Sequence, residues 1–234
     1  MADTLAPRAI IGVMTPAMNT VVQPELELLR PEGVTNQMQR FRLGGDRISD
    51  DFQSEAEKLM DCKPNVIAVG LTTDAGAGGP DKLASKCAEV AKALGVGVLG
   101  ASQADYAALN ALGAKRIGIV TPFGPDIDAV VKANTEAAGF EVVAIKGTNA
   151  PSLPEICETS LDDIKAVFAE VAVTDCDVIL QVGTALPVVA LVEELEREHE
   201  KPIVACNAAV YWQALRSIGI TDPIEGYGTL LRAH

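Results

Sequence analysis

Histidine is nearly absent from this sequence. The chain has 234 residues and two histidines, His199 within a charged segment and His234 at the last position. Catalytic and metal-binding histidines act together with further ligands or acid–base groups, and neither position suggests such a set. The sequence therefore argues against histidine-dependent triads and against zinc sites.

Positive charge is scarce as well. The chain has 19 Lys and Arg against 32 Asp and Glu, which gives a formal net charge of −13. Nucleic acids and anionic membrane surfaces attract clustered Lys and Arg, so we expect neither a nucleic-acid partner nor a membrane partner. A content of 48% hydrophobic and 22% charged residues is typical of a globular chain.

Long apolar segments and paired cysteines are also missing. No apolar run approaches the ~18 residues of a transmembrane helix. Met1–Pro7 has no basic segment followed by an apolar one, so no signal peptide is expected. The five cysteines are Cys62, Cys87, Cys157, Cys176 and Cys206. They are scattered and show no C-x-x-C spacing, which favours reduced thiols in a cytoplasmic protein.

Short apolar segments alternate with longer amphipathic ones along the chain. Strands are predicted at Ala9–Met14, Val66–Val69, Val96–Leu99, Arg116–Val120, Glu141–Ile145, Val178–Gln181 and Pro202–Ala205, and a weaker one at Thr35–Phe41. Helices are predicted at Ser49–Asp61, Lys82–Leu94, Gln103–Leu112, Asp126–Ala138, Ser160–Val171, Leu186–His199 and Ala208–Ile218. Most strands are apolar throughout, which is typical of a parallel sheet covered on both faces. The alternation predicts an α/β fold.

An internal repeat divides the chain into two halves. Three segments recur in the same order: Ile11–Pro16 as Ile117–Pro122, Asn65–Ile67 as Asp177–Ile179, and Ala108–Gly113 as Ala214–Gly219. We predict two similar α/β halves with parallel sheets, residues 1–113 and 114–234, with residues from about 215 to 234 packing back on the first half. Ligands of such sheets bind beyond the carboxyl ends of the strands, so both halves should line one central cleft.

Small, hydroxylated turns follow the strands that should line this cleft. They are Thr15–Thr20, Thr72–Gly79, Thr121–Gly124 and Gly183–Ala185. Amide N–H groups at helix starts bind anions, and Thr hydroxyls beside them add hydrogen bonds. Any single turn is better explained as a helix cap, but four turns on one cleft favour a binding site. Their glycine spacing matches neither a dinucleotide fingerprint nor a phosphate-binding loop.

The chain resembles the maleate isomerase and arylmalonate decarboxylase branch of the aspartate/glutamate racemase superfamily. The resemblance runs over nearly the whole length and is carried by Gly12–Thr20, Thr72-Thr73, Thr121–Phe123, Ile203–Trp212 and Gly226–Leu231. It implies two pseudo-symmetric Rossmann-like halves, no cofactor, no metal and a homo-oligomer. It also implies a cofactor-independent isomerase or lyase that acts on a small mono- or dicarboxylate through an enediolate-like intermediate.

The resemblance also assigns candidate site residues. Asn19 and the hydroxyl pair Thr72 and Thr73 are expected to hold a substrate carboxylate or enediolate. Phe123 stands where the family often has a Tyr, so one hydrogen bond to the carboxylate is either lost or supplied by another residue. The substrate-binding candidates are Thr15, Pro16, Asn19, Thr72, Thr73, Phe123, Val182, Gly183, Thr184 and Asn207.

The largest difference between this chain and the family concerns the catalytic groups. Its racemases and maleate isomerases use two cysteines at the ends of the third strand of each half, and its decarboxylases keep the second. The matching positions here are Leu71 and Val182, so the chain is interpreted as a member of a subgroup that lacks both cysteines. Cys206 is the one cysteine expected at a cleft-facing strand end. A relocated nucleophile is the functional interpretation there, but a role as a buried structural thiol explains the position better. The other four cysteines are expected away from the cleft.

Asp74 is the remaining candidate for proton transfer. It directly follows Thr72-Thr73, and a carboxyl group beside a bound anion has a raised pKa that suits a general acid or base. A role as a helix cap or turn former is equally compatible with its position. The alternative to an enzyme is a non-catalytic carboxylate-binding or regulatory protein derived from the same family.

Overall fold

The computed structural model describes residues 3–43, 52–72 and 79–234. Its strands are β1 (Ala9–Pro16), β2 (Val34–Phe41), β3 (Val66–Val69), β4 (Gly97–Gly100), β5 (Arg116–Thr121), β6 (Glu141–Gly147), β7 (Val178–Gln181) and β8 (Ile203–Ala205). They form two parallel four-stranded sheets in the orders β2-β1-β3-β4 and β6-β5-β7-β8. The predicted α/β fold with two similar halves is confirmed, because each strand of one sheet has a counterpart in the other.

The internal repeat is a repeat of strand register. Ile11 lies opposite Val66 in the first sheet, and Ile117 lies opposite Val178 at the same place in the second. All residues of β3 and β7 are buried, which agrees with their apolar sequence and with sheets covered on both faces. The sequence similarity between the halves thus reflects equivalent strand contacts.

The helices are α1 (Val22–Leu28), α2 (Phe52–Leu59), α3 (Gly79–Leu94), α4 (Ala101–Ala111), α5 (Pro125–Ala137), α6 (Leu161–Ala172), α7 (Val192–His199), α8 (Cys206–Ser217) and α9 (Thr229–Ala233). Short 3₁₀ helices cover Met60–Cys62, Pro154–Glu158 and Val189–Leu191. Helices α1 and α9 and the 3₁₀ helix Pro154–Glu158 were not predicted, because they span too few residues to show a periodic pattern. The other two 3₁₀ helices lie within or at the end of segments predicted as α-helices. No helix within the described ranges is both long and apolar enough to cross a membrane.

Helices α4 and α8 are exchanged between the halves, which means that each contacts the sheet of the other half. Helix α4 of the first half packs on α8 and contacts β7 and β8 of the second, while α8 contacts β3 and β4 of the first. Small buried side chains such as Ala104, Ala108, Ala209 and Ala214 allow these helices to approach closely. The exchange joins the two sheets through a common core that neither half completes alone.

The segment predicted as one helix over Leu186–His199 is two elements. A turn and the 3₁₀ helix Val189–Leu191 come first, and the α-helix begins only at Val192. Pro187 disfavours the helical conformation at the residue before it. The N–H groups of Val188 and Val189 donate to Glu25 of α1 instead of to helical carbonyls.

The C-terminal segment contacts both halves. Arg8 near the N-terminus donates hydrogen bonds from Nη1 and Nη2 to the two carboxylate oxygens of Asp222. In α9, Thr229 donates through its N–H and its hydroxyl to Glu196 of α7, and Arg232 pairs with Glu193 of the same helix. The last residues therefore tie the first half to the helices of the second.

Candidate functional site

The ends of strands from both sheets surround one cavity of about 60 Å³. Its lining from the first half is Pro16, Met18, Asn19, Leu43, Leu71 and Thr72. Its lining from the second half is Phe123, Leu153, Pro154, Ile156, Cys157, Gly183, Thr184 and Ala185. Each of the four hydroxylated turns contributes, which confirms the prediction of a cleft shared by both halves. Among the described lining residues none carries a charge, and the polar side chains are Asn19, Thr72 and Thr184.

The turn after β7 supplies backbone donors to this cavity. Within the described ranges, the amide N–H groups of Gly183, Thr184 and Ala185 form no intramolecular hydrogen bond, while Leu186 closes the turn by donating to the Gly183 carbonyl at 3.1 Å. Gly183 has φ +107, and a Cβ there would lie 2.7 Å from Cδ of Pro122. The positive φ and the close approach to Pro122 each exclude a larger residue at position 183. Consecutive free amides of this kind can bind an anion without any Lys or Arg.

Asn19 connects the two halves at the edge of the cavity. Its Oδ1 accepts from the N–H groups of Val21 and Val22, both at 2.9 Å, at the beginning of α1. Its Nδ2 donates to Thr184 Oγ1 at 3.2 Å, and that hydroxyl donates onward to the Gly70 carbonyl at 3.1 Å. The Thr184 hydroxyl proton is thus used within the protein. Direct contact between Asn19 and a carboxylate stays a prediction.

Thr72 is the described member of the predicted hydroxyl pair. It is buried, lines the cavity and forms no hydrogen bond to another described residue. Thr73 and Asp74 lie outside the described residues. Their roles as ligand contact and as general acid or base remain predictions from the sequence.

Phe123 is held by the turn after β5. Its N–H donates to Thr121 Oγ1 at 3.1 Å, and the Thr121 hydroxyl donates to the carboxylate of Asp128. Burial raises the pKa of Asp128, which the Thr121 hydrogen bond opposes. Helix α5 has no side-chain cap, and the Asp128 carboxylate in its first turn accepts from the Thr121 hydroxyl. A Cβ on Gly147 would lie 1.8 Å from the Phe123 carbonyl oxygen, so glycine is required there too.

Three predicted binding residues are buried but are not among the described residues that line the cavity. They are Thr15, Val182 and Asn207. The Val182 N–H extends the sheet by donating to the Val120 carbonyl at 2.9 Å. The Asn207 Nδ2 donates to the Thr184 carbonyl at 3.0 Å and to Glu25 Oε2 at 2.7 Å. In this structure Asn207 supports the cavity turn from behind.

Glu25 is a buried carboxyl group that the sequence analysis missed. Its Oε1 accepts from the N–H groups of Val188 and Val189, both at 2.8 Å, and its Oε2 accepts from Asn207. Burial raises its pKa to about 7, although these hydrogen bonds oppose the shift. Helical spacing places Glu25 on one face with Val22, Leu26 and Leu29, all buried. This helical spacing could have revealed Glu25 from the sequence, because a carboxyl group on an apolar helix face needs hydrogen-bond partners in the core.

The cysteines are arranged differently from expectation in one respect. Cys157 lines the cavity, although it was expected away from the cleft. The reason is that the connection from β6 to α6 folds back over the strand ends through the 3₁₀ helix Pro154–Glu158, where the Cys157 thiol donates to the Pro154 carbonyl. Cys206 is fully buried, and its thiol lies 3.5 Å from Gln181 Oε1. Burial raises the pKa of Cys87 to about 12, so that thiol is inert at neutral pH.

Metal ligands are not grouped in the part of the chain that the structure describes. No three His, Cys, Asp or Glu side chains there could hold a metal ion together. The described lining offers neutral donors, which are amide N–H groups and the Thr72 hydroxyl, beside an apolar wall that includes Leu43, Leu153 and Ile156.

Comparison with known proteins places this chain in a family. The family model for arylmalonate decarboxylase matches residues 11–231. Maleate isomerase of Nocardia farcinica is 25% identical over 238 residues, which cover 95% of each chain. The Nocardia farcinica maleate cis-trans isomerase bound to TRIS superposes with a TM-score of 0.88 at 23% identity, over 96% of this chain and 98% of that one. Unliganded arylmalonate decarboxylase superposes with a TM-score of 0.80 at 20% identity, over 95% and 98%. These relatives are an isomerase and a lyase, and this chain belongs to the arylmalonate decarboxylase family.

Proposed function

We propose that the protein is a cofactor-independent isomerase or lyase that acts on a small mono- or dicarboxylate through an enediolate-like intermediate. The observation that carries this proposal is the cavity at the strand ends, whose described lining combines free amide N–H groups and the Thr72 hydroxyl with no charged side chain. Family membership supports the same reaction classes. The cavity is built from both halves, as a binding site shared between two sheets requires.

The chemistry needs donors aimed at a carboxylate. When carbon dioxide or a proton leaves the carbon beside a carboxylate, an electron pair remains and delocalises into that carboxylate as an enediolate. Fixed amide donors stabilise this charge, and losing one such donor typically lowers kcat by about 10²–10³-fold. We assign one substrate carboxylate to the amides of Gly183, Thr184 and Ala185. A second carboxylate, or the enediolate, is assigned to Thr72 together with Thr73.

The apolar wall indicates the rest of the substrate. Leu43, Leu153, Pro154 and Ile156 line the cavity beside the polar turns. Burying one methylene group there is worth about 0.8 kcal/mol, so a carboxylate with an apolar substituent gains more from this wall than maleate does. We therefore propose a substituted malonate or a similar carboxylate as the preferred substrate class.

We further propose that the reaction proceeds without a cysteine pair. The residues after β3 and β7 are Leu71 and Val182, and Cys157 is the one cysteine among the described lining residues. A solved form of the Nocardia farcinica enzyme carries a covalently bound succinylcysteine intermediate. Such an intermediate needs a reactive thiolate in the cavity. Here proton transfer is assigned to Asp74, which its sequence position beside Thr73 supports.

A panel of three carboxylates tests the proposed activity. Maleate, methylmalonate and phenylmalonate are each incubated with the protein and followed by proton NMR. Maleate would yield fumarate, and each malonate would yield its monocarboxylate and carbon dioxide. We expect conversion of at least one compound, with phenylmalonate fastest. A melting temperature that rises with a carboxylate, without any conversion, would instead favour a non-catalytic carboxylate-binding protein.

Two variants test the catalytic groups. Asp74→Asn should lower kcat by about 10²-fold or more, since general acid–base catalysis contributes about 10²–10⁴-fold. Asp81→Asn, an exposed acid on α3, is the matched control and should stay close to the parent. Cys157→Ser should keep kcat within about twofold, with the buried Cys176→Ser as its control. Loss of activity in Cys157→Ser alone would contradict the reaction without thiols.

A further inference from the structure

Glu25 belongs to the first half, and all three of its hydrogen-bond donors belong to the second. They are the N–H groups of Val188 and Val189 and the side-chain amide of Asn207. Glu25 is 7% exposed and lies on the face of α1 that the core buries. An apolar residue would suffice if this position only filled space, because Val22 and Leu26 beside it do so.

The two oxygens of Glu25 hold the cavity turn at two points. Oε1 binds the amides of Val188 and Val189, just beyond the turn. Oε2 binds Asn207, whose Nδ2 also donates to the Thr184 carbonyl at 3.0 Å. The carboxylate thereby fixes the distance between Thr184 and Val188, and with it the course of the chain that presents Gly183, Thr184 and Ala185 to the cavity.

We propose that Glu25 is a positioning residue for substrate binding, which sets the amides of the Gly183–Ala185 turn through Asn207 and through the N–H groups of Val188 and Val189. The proposal rests on the proposed function, since it assigns Glu25 to the same carboxylate site. Glu25 does not line the cavity among the described residues, so it acts on the ligand only through the turn.

The substitution Glu25→Gln tests this role with almost no change in shape. The Gln amide would keep one oxygen for Val188 and Val189, but its NH₂ group would face the NH₂ group of Asn207. Two donors cannot bond to each other, so Asn207 must rotate and the Thr184 carbonyl loses its donor. We expect KM for the converted carboxylate to rise at least fivefold. We also expect amide hydrogen exchange to accelerate in residues 184–191.

A merely structural role gives a different result. Partial unfolding would lower kcat in proportion to the folded fraction, leave KM unchanged and accelerate exchange throughout the chain. The control Glu136→Gln removes one carboxylate from the exposed ion pair with Lys132, and it should change neither KM nor local exchange. If Glu25→Gln does not fold, Asn207→Ala replaces it, because that change removes the Thr184 contact and leaves the Val188 and Val189 bonds in place.

The outcomes separate this inference from the function on which it rests. A parent protein that neither converts nor binds any carboxylate of the panel overturns the proposed function and this inference together. An active parent whose Glu25→Gln or Asn207→Ala variant keeps the parental KM overturns the positioning role alone. An active parent whose variant has a raised KM and locally faster exchange supports both.

Discussion

The buried carboxyl of Glu25 should make the stability of this protein depend on pH near neutrality. The perturbation is again Glu25→Gln, now followed through the free energy of unfolding. Gln has nearly the same size and cannot ionise, so the variant lacks this titration. Its lost hydrogen bond with Asn207 changes the free energy of unfolding by an amount that does not vary with pH. All other groups are shared, and their contributions cancel in the difference between the two proteins.

The magnitude follows from the pKa of Glu25. Burial raises it from 4.5 to about 7, against the opposing hydrogen bonds from Asn207, Val189 and Val188. Because the folded value lies above the unfolded one, the folded state binds more protons between these pH values. The resulting stability is fully present below pH 4.5 and is lost as the pH rises through about 7. The whole change amounts to about 3 kcal/mol, most of it between pH 5 and 8.

Urea unfolding at constant ionic strength measures the effect. The free energy of unfolding of Glu25→Gln minus that of the parent should increase by about 2–3 kcal/mol from pH 5 to pH 8. Glu136→Gln, treated in the same way, controls for the loss of one negative charge at an exposed site. A Glu25→Gln difference that stays constant within about 0.5 kcal/mol across this range would refute the reasoning, because it would mean that burial does not shift this carboxyl.

Three further substitutions probe the cavity. Gly183→Ala should raise KM for the substrate at least tenfold, because φ +107 and the 2.7 Å approach of a Cβ to Pro122 force the turn to move. An unchanged KM in steady-state kinetics would contradict the amide site. Phe123→Tyr adds the hydroxyl that the family resemblance implies at this position, and it should lower KM by about tenfold or more, the worth of one hydrogen bond to a charged group. An unchanged KM would place the carboxylate elsewhere. Asn19→Ala removes the acceptor for the N–H groups of Val21 and Val22 and the bond to Thr184, so urea unfolding should show a loss of about 1–2 kcal/mol. A loss below about 0.3 kcal/mol would contradict that role.

Part of the described cavity could be predicted from the sequence, and part could not. The four turns could be placed on one cleft because strand ends of parallel sheets meet, and each turn does contribute to the lining. The roles of single side chains could not be read in the same way. The amides of Asn19 and Asn207 donate to the Thr184 hydroxyl and carbonyl, which no local pattern indicated, and the contact of either residue with a ligand stays a prediction.

Cys157 illustrates the same limit for a loop. The sequence between β6 and α6 has no periodic pattern, so nothing local indicated that it folds back over the strand ends. Only the packing of its 3₁₀ helix brings the thiol to the cavity, beside Leu153 and Ile156.

The sequence by itself determined the strands, the longer helices and the division into two sheets, because apolar runs, amphipathic spacing and the internal repeat are local or compare segments directly. The tertiary structure alone decided the contacts that join the halves. Glu25 meets Val188 across 163 positions and Asn207 across 182. Such pairings depend on how the exchanged helices α4 and α8 bring the two sheets together, and no short stretch of sequence encodes that geometry.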